Sequence, residues 1–66
     1  MKKYRIYTGP TLVDKVAAEL NKSMVFVAVF PGTSHVHFQS AFPQMELQEH
    51  VNRLFGSAAG FRVVEL

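Results

Sequence analysis

The segment Met24-Val25-Phe26-Val27-Ala28-Val29-Phe30-Pro31-Gly32-Thr33-Ser34-His35-Val36-His37-Phe38-Gln39-Ser40 decides how this chain folds. Met24 to Phe30 is apolar at every position and rich in β-branched and aromatic residues. Seven residues are too few for an average helix, so the run reads as a strand with apolar side chains on both faces. Pro31-Gly32 suits the two central positions of a type II turn, which returns Ser34 to Ser40 as an antiparallel strand. That second strand alternates. Val36 and Phe38 point to one side, and His35, His37 and Gln39 point to the other.

Upstream, Lys3 to Thr8 has the same period of two, with Tyr4, Ile6 and Thr8 on one parity and Lys3, Arg5 and Tyr7 on the other. Gly9-Pro10-Thr11 ends it. Thr11 with Asp14 has the spacing of a capping box, and Leu12, Val13, Val16, Ala17 and Leu20 fall on one helical stripe that ends near Asn21. Downstream, Phe42-Pro43 starts a second helix with Leu47, Val51, Leu54 and Phe55 as its apolar stripe. Gly56 stops that helix, Gly60 closes a loop, and Phe61 to Leu66 reads as the last strand. The order is β-α-β-β-α-β, an α+β chain of the ferredoxin-like or split βαβ type. It predicts one domain over residues 1–66, with a four-stranded antiparallel sheet and both helices on one face. Strands one and three lie in the middle when the crossovers are right-handed.

A chain of 66 residues buries only about 60% of its unfolded surface. Its 48% hydrophobic content argues for a folded chain, and the absence of cysteine removes disulfides and thiolate metal sites as supports. Self-association is the expected substitute. The net charge of +2 is weakly basic, with Lys2, Lys3, Arg5 and Lys15 in the first fifteen residues, and falls short of a nucleic-acid footprint on its own. Arg5, Thr8 and Gly9 interrupt the place where a signal peptide needs its apolar segment. The seven-residue apolar run is also far below the ~20 residues of a membrane-spanning helix. A cytoplasmic location is the resulting expectation.

With Tyr4, Ile6, Val36 and Phe38 against the helices, parity places Arg5, Tyr7, His35, His37 and Gln39 on the open face of the central strands. Strand two adds either Val25, Val27 and Val29 or Phe26, Ala28 and Phe30, and the aromatic candidates for this face are Phe26 and Phe30. Exposed apolar surface there forgoes about 25 cal/mol per Å² of burial, the mark of an interaction site. The expected function is that of a small non-enzymatic regulator or inhibitor. It pairs with itself through the open face or the edge of strand two, as a homodimer, and binds a larger protein partner. The alternative is a single-stranded nucleic-acid module in which Arg5, Tyr7, His35 and His37 take the place of the base-stacking aromatics of RNA-recognition sheets, whose full motif is missing here.

Chemistry beyond binding has little support. His35-x-His37 puts two imidazoles on one face about 6–7 Å apart at Cα, but two ligands are too few for a metal site. His50 belongs to the second helix, across the sheet, so a metal would need four histidines from two subunits. The more economical expectation is that the histidines hydrogen-bond across to strand one. Ser23, Ser34, Ser40 and Ser57 sit at element boundaries where hydroxyls cap or turn, and the glycines at 9, 32, 56 and 60 are too dispersed to cradle a phosphate. Glu46 with His50, and Glu49 with Arg53, have i,i+4 spacing suited to pairing on a solvated helix face. No catalytic set and no cofactor are expected.

Overall fold

The computed structural model describes residues 1–66. The chain runs through β1 (Lys2–Tyr7), α1 (Val13–Leu20), β2 (Val27–Pro31), β3 (His35–Ser40), α2 (Gln44–Phe55), a short 3₁₀ turn (Ser57–Ala59) and β4 (Val63–Glu65). Its four strands form one antiparallel sheet in the order β2-β3-β1-β4, the ferredoxin-like arrangement with β1 and β3 at the centre. No helix is long and apolar enough to cross a membrane. Tyr4 and Ile6 of β1 and Val36 and Phe38 of β3 are buried with Val13, Val16, Ala17 and Leu20 of α1 and Leu47 and Val51 of α2. The alternation expected for the two central strands is thus the alternation observed. The Tyr4 and Phe38 rings stack 5.6 Å apart, and the Tyr4 hydroxyl donates to the Phe42 carbonyl at 2.9 Å, which lets a phenol sit fully inside the core.

Strand two departs from the expectation. It begins at Val27, and Met24 lies in solvent at 96% exposure. Val27 stands opposite Gln39 and Phe30 opposite His37, so three steps along β2 match two steps along β3. The extra residue is a bulge, and Ala28 inside it takes a left-handed φ of 51°. A bulge breaks the period of two. Phe26, 3% exposed, is therefore driven into the core against Phe38, with ring centroids 5.0 Å apart, while Phe30 is 65% exposed. Neither single-parity set holds, because Val25 and Val29 also pack on the core beside Phe26. The turn shifts as well. Pro31 remains in the strand opposite Val36, and the reversal is closed by the Gly32 N–H donating to the His35 carbonyl at 2.7 Å. Proline is tolerated there because β2 is an edge strand. Gly32 makes room for a neighbour: a Cβ at that position would lie 2.6 Å from His35 Nε2, so the imidazole rests against the glycine and would have to turn aside for any larger residue.

Both helices start without the expected caps. Thr11 and Asp14 form no capping box, Leu12 is the N-cap residue with no side-chain cap bond, and α1 buries Val13, Val16, Ala17 and Leu20 while Leu12 is partly exposed. Pro43 is extended, with ψ of 158°, and precedes α2 instead of being its first residue. Phe42 N–H donates to Ser40 Oγ at 3.1 Å and Val25 N–H to Ser23 Oγ at 3.3 Å, the turn roles expected of those serines. Leu54 faces outward, and Phe55 packs edge-on to Phe61 at 5.4 Å. The Glu46–His50 and Glu49–Arg53 pairs do not form; the ion pairs present are Lys2–Glu65 at 3.7 Å and Lys22–Glu19 at 2.9 Å, both exposed. Exposed pairs of this kind contribute at most about 1 kcal/mol each.

The last strand is shorter than Phe61 to Leu66, and a helix side chain supplies what the sheet does not. Gln48 Oε1 accepts from the Val63 N–H at 2.8 Å, its Nε2 donates to the Phe61 carbonyl at 2.8 Å, and Gln44 Nε2 donates to the Val63 carbonyl at 2.6 Å. These bonds dock the start of β4 onto α2.

Candidate binding face

On the side of the sheet away from the helices, register fixes which side chains meet. Directly opposed residues share a face, so Arg5 of β1 faces His37 of β3, Tyr7 faces His35, and Lys3 faces Gln39. Phe30 of β2 extends the His37 position outward on one side, and Val64 of β4 extends Arg5 on the other. The result is a row, Phe30–His37–Arg5–Val64, that crosses all four strands in steps of about 4.8 Å.

Arg5 organises the centre of this face. Its Nη1 donates to the Tyr7 hydroxyl at 3.0 Å, its Nη2 lies 3.3 Å from His37 Nε2, and its Cζ sits 5.6 Å from the centre of the Tyr7 ring. His37 and His35 meet edge to face at 4.5 Å, and His35 meets Tyr7 in the same manner at 5.9 Å. The Arg5 Nε is buried and has no hydrogen-bond partner. Because a guanidinium only donates, His37 Nε2 must accept from Arg5, which assigns its proton to Nδ1. The expected bond from a histidine across to strand one is therefore made by His37, while His35 packs on Tyr7.

Burial, then the Arg5 charge, then His35 hold the His37 pKa below its usual 6.5. The sign of the consequence follows from proton counting. Between the folded value and about 6.5 the unfolded chain binds a proton that the folded chain resists, so stability rises with pH across that window and falls on acidification. Unfolding midpoints of the wild type should drop as pH is lowered from about 7 through this range, and His37→Gln should flatten the profile. An equal slope in that variant would remove His37 as the cause.

The same contact opposes a metal. Arg5 occupies the Nε2 of His37 and places a fixed positive charge beside the imidazole pair. No group of three or more histidine and carboxylate side chains is assembled anywhere in the chain, and His50 lies across the sheet beside Phe26, with ring centroids 6.2 Å apart.

Of the residues expected on this face, Arg5, Tyr7, His35, His37, Gln39 and Phe30 are there, and Phe26 is not, because the bulge turns it inward. Lys3, Val64 and, opposite Gln39, Val27 join them. Lys3 was readable from its shared parity with Arg5 and Tyr7, whereas the place of Val64 depends on a β4 register that the terminal sequence does not announce. Charge is segregated across the molecule. Of the five acidic residues, Asp14 and Glu19 lie on α1 and Glu46 and Glu49 on α2. The fifth, Glu65, stands opposite Tyr4, on the other parity of β4, and pairs with Lys2. The open face holds Lys3 and Arg5 with no acidic side chain.

Fold and face together define a small ferredoxin-like α+β chain with a cationic, aromatic sheet surface. No protein-family model matches the chain, and no curated protein or solved structure is similar to it at a significant level.

Proposed function

We propose that this chain is a non-enzymatic binding module of the regulator or inhibitor type, and that the open sheet face is its working surface. The observation that carries this reading is the continuous row of Phe30, His37, Arg5 and Val64 with Tyr7 and His35 beside it, on the face of the sheet opposite the buried core residues Tyr4, Ile6, Val36 and Phe38. Tyr7 and Phe30 remain 52% and 65% exposed in a chain that otherwise buries its aromatic strand residues. A photo-crosslinking side chain at position 30 should capture the partner in a native extract, and the same group at Met45, 80% exposed on α2, should not. Capture from 45 and none from 30 would move the working surface to the helices.

A homodimer with a protein partner is the second reading, favoured by the apolar rim of Phe30 and Val64. Against it, Val25, Phe26 and Val29 place much of the apolar surplus of strand two in the core, where it is not available to an interface. The β2 edge is interrupted by the bulge and ends in Pro31, two features that discourage strand-to-strand pairing. Sedimentation equilibrium at tens of micromolar decides it: a dimer supports this reading, and a monomer removes it.

A further inference from the structure

We propose that the open face takes a single-stranded nucleic acid, with Tyr7 and Phe30 as stacking surfaces, His35 and His37 as the floor between them, and Lys3 and Arg5 as phosphate contacts. The proposal rests on the open face being the working surface and adds the class of its occupant.

Charge complementarity selects that class. The five carboxylates are all on the helices or on the opposite parity of β4, so a polyanion meets cations on the open face and no acidic side chain. A second copy of the chain meets the reverse situation, because a two-fold axis through the face brings Lys3 and Arg5 toward their own copies, and like charges in apposition are unfavourable. Stacking selects among polyanions. Planar groups from three strands, Phe30 of β2, His35 and His37 of β3 and Tyr7 of β1, lie on one surface, and sheets of this shape hold two or three unstacked bases on such planes. A flat sheet face offers no element to enter the groove of a duplex, whereas unpaired bases lie down on it. Arg5 adds donors at the centre, since its contacts to Tyr7 and His37 engage only part of the guanidinium fork.

The test is fluorescence anisotropy with labelled oligo-dT and oligo-rU of about ten nucleotides, a length within the site sizes of single-strand binding surfaces. Binding should weaken with salt along a log–log slope of about −1.4, the value for two phosphate contacts on a single strand. Tyr7→Ala should weaken it about tenfold or more, the loss expected for one stacked base, and Tyr7→Phe should retain it. Because Tyr7 is half exposed, Tyr7→Ala should keep the wild-type circular dichroism spectrum. Equal binding by Tyr7→Ala, or competition by inorganic polyphosphate as effective as by unlabelled oligonucleotide, would reduce the interaction to charge alone and overturn the proposal. If neither oligonucleotide binds while the position-30 crosslinker still captures a partner, the nucleic-acid assignment falls and the open face stands. If neither event occurs, both fall.

Discussion

Phe26→Ala should lower the unfolding free energy by about 3 kcal/mol or more, and Phe30→Ala should change it by less than about 0.5 kcal/mol. The two phenylalanines are four residues apart in one apolar run, and a regular strand would give them the same face and similar costs. The bulge separates them. Phe26 packs edge-on against Phe38 at 5.0 Å and lies beside His50, so its removal opens a cavity in a core of twelve residues. Phe30 projects from the open face, where truncation leaves no void. A domain of this size has a total stability of roughly 3–10 kcal/mol, so Phe26→Ala should lose about a third of it or more and melt well below the wild type, while Phe30→Ala melts near it. Urea titrations of both variants check this. Equal destabilisation would mean that the two rings share a face and that the register shift between Val27 and Phe30 is absent.

Gln48→Leu should cost about 1–3 kcal/mol through backbone groups that belong to another element. Its amide satisfies the Val63 N–H and the Phe61 carbonyl at once, and also donates to Asn52 Oδ1 at 3.1 Å. Leucine matches the volume but leaves a partly buried donor and acceptor without partners. Gln48→Glu should fall between, since a carboxylate still accepts from Val63 but no longer donates to Phe61. Hydrogen exchange gives the local signature, with the Val63 amide losing protection in Gln48→Leu before the β1 and β3 amides do. Uniform loss across the sheet would show that β4 is not held separately by α2. Since Val64 closes one end of the row on the open face, this helix side chain also supports the binding surface from behind.

The central half of the molecule is legible in the sequence because its chemistry is periodic. Tyr4 and Ile6 alternate with Arg5 and Tyr7, and Val36 and Phe38 with His35 and His37, so parity alone assigns the core and most of the open face. Strand two is illegible for the opposite reason. When Val25 to Phe30 are all apolar, no alternation marks a face, and a bulge leaves no trace in composition. The helix starts mislead for a local reason: Thr11-x-x-Asp14 and Phe42-Pro43 fit cap patterns, but the observed entries use Leu12 and an extended Pro43, with the turn at Ser40 setting the second. The contacts of Gln48 cannot be read at all from the chain order, since they depend on where a three-residue strand comes to rest. The site suffers less than the fold from these gaps, because its charged and imidazole members sit on the two strands that alternate.

Chemical-shift mapping of the labelled protein with the same oligonucleotide separates the open sheet face from the helix surface. Binding of single strands on the open face predicts that the amides and side chains of Lys3, Arg5, Tyr7, Phe30, His35 and His37 move while those of α1 and α2 stay in place. Perturbations concentrated on the outer helix surface around Leu12, Lys15 and Leu54, with β1 and β3 silent, would contradict it.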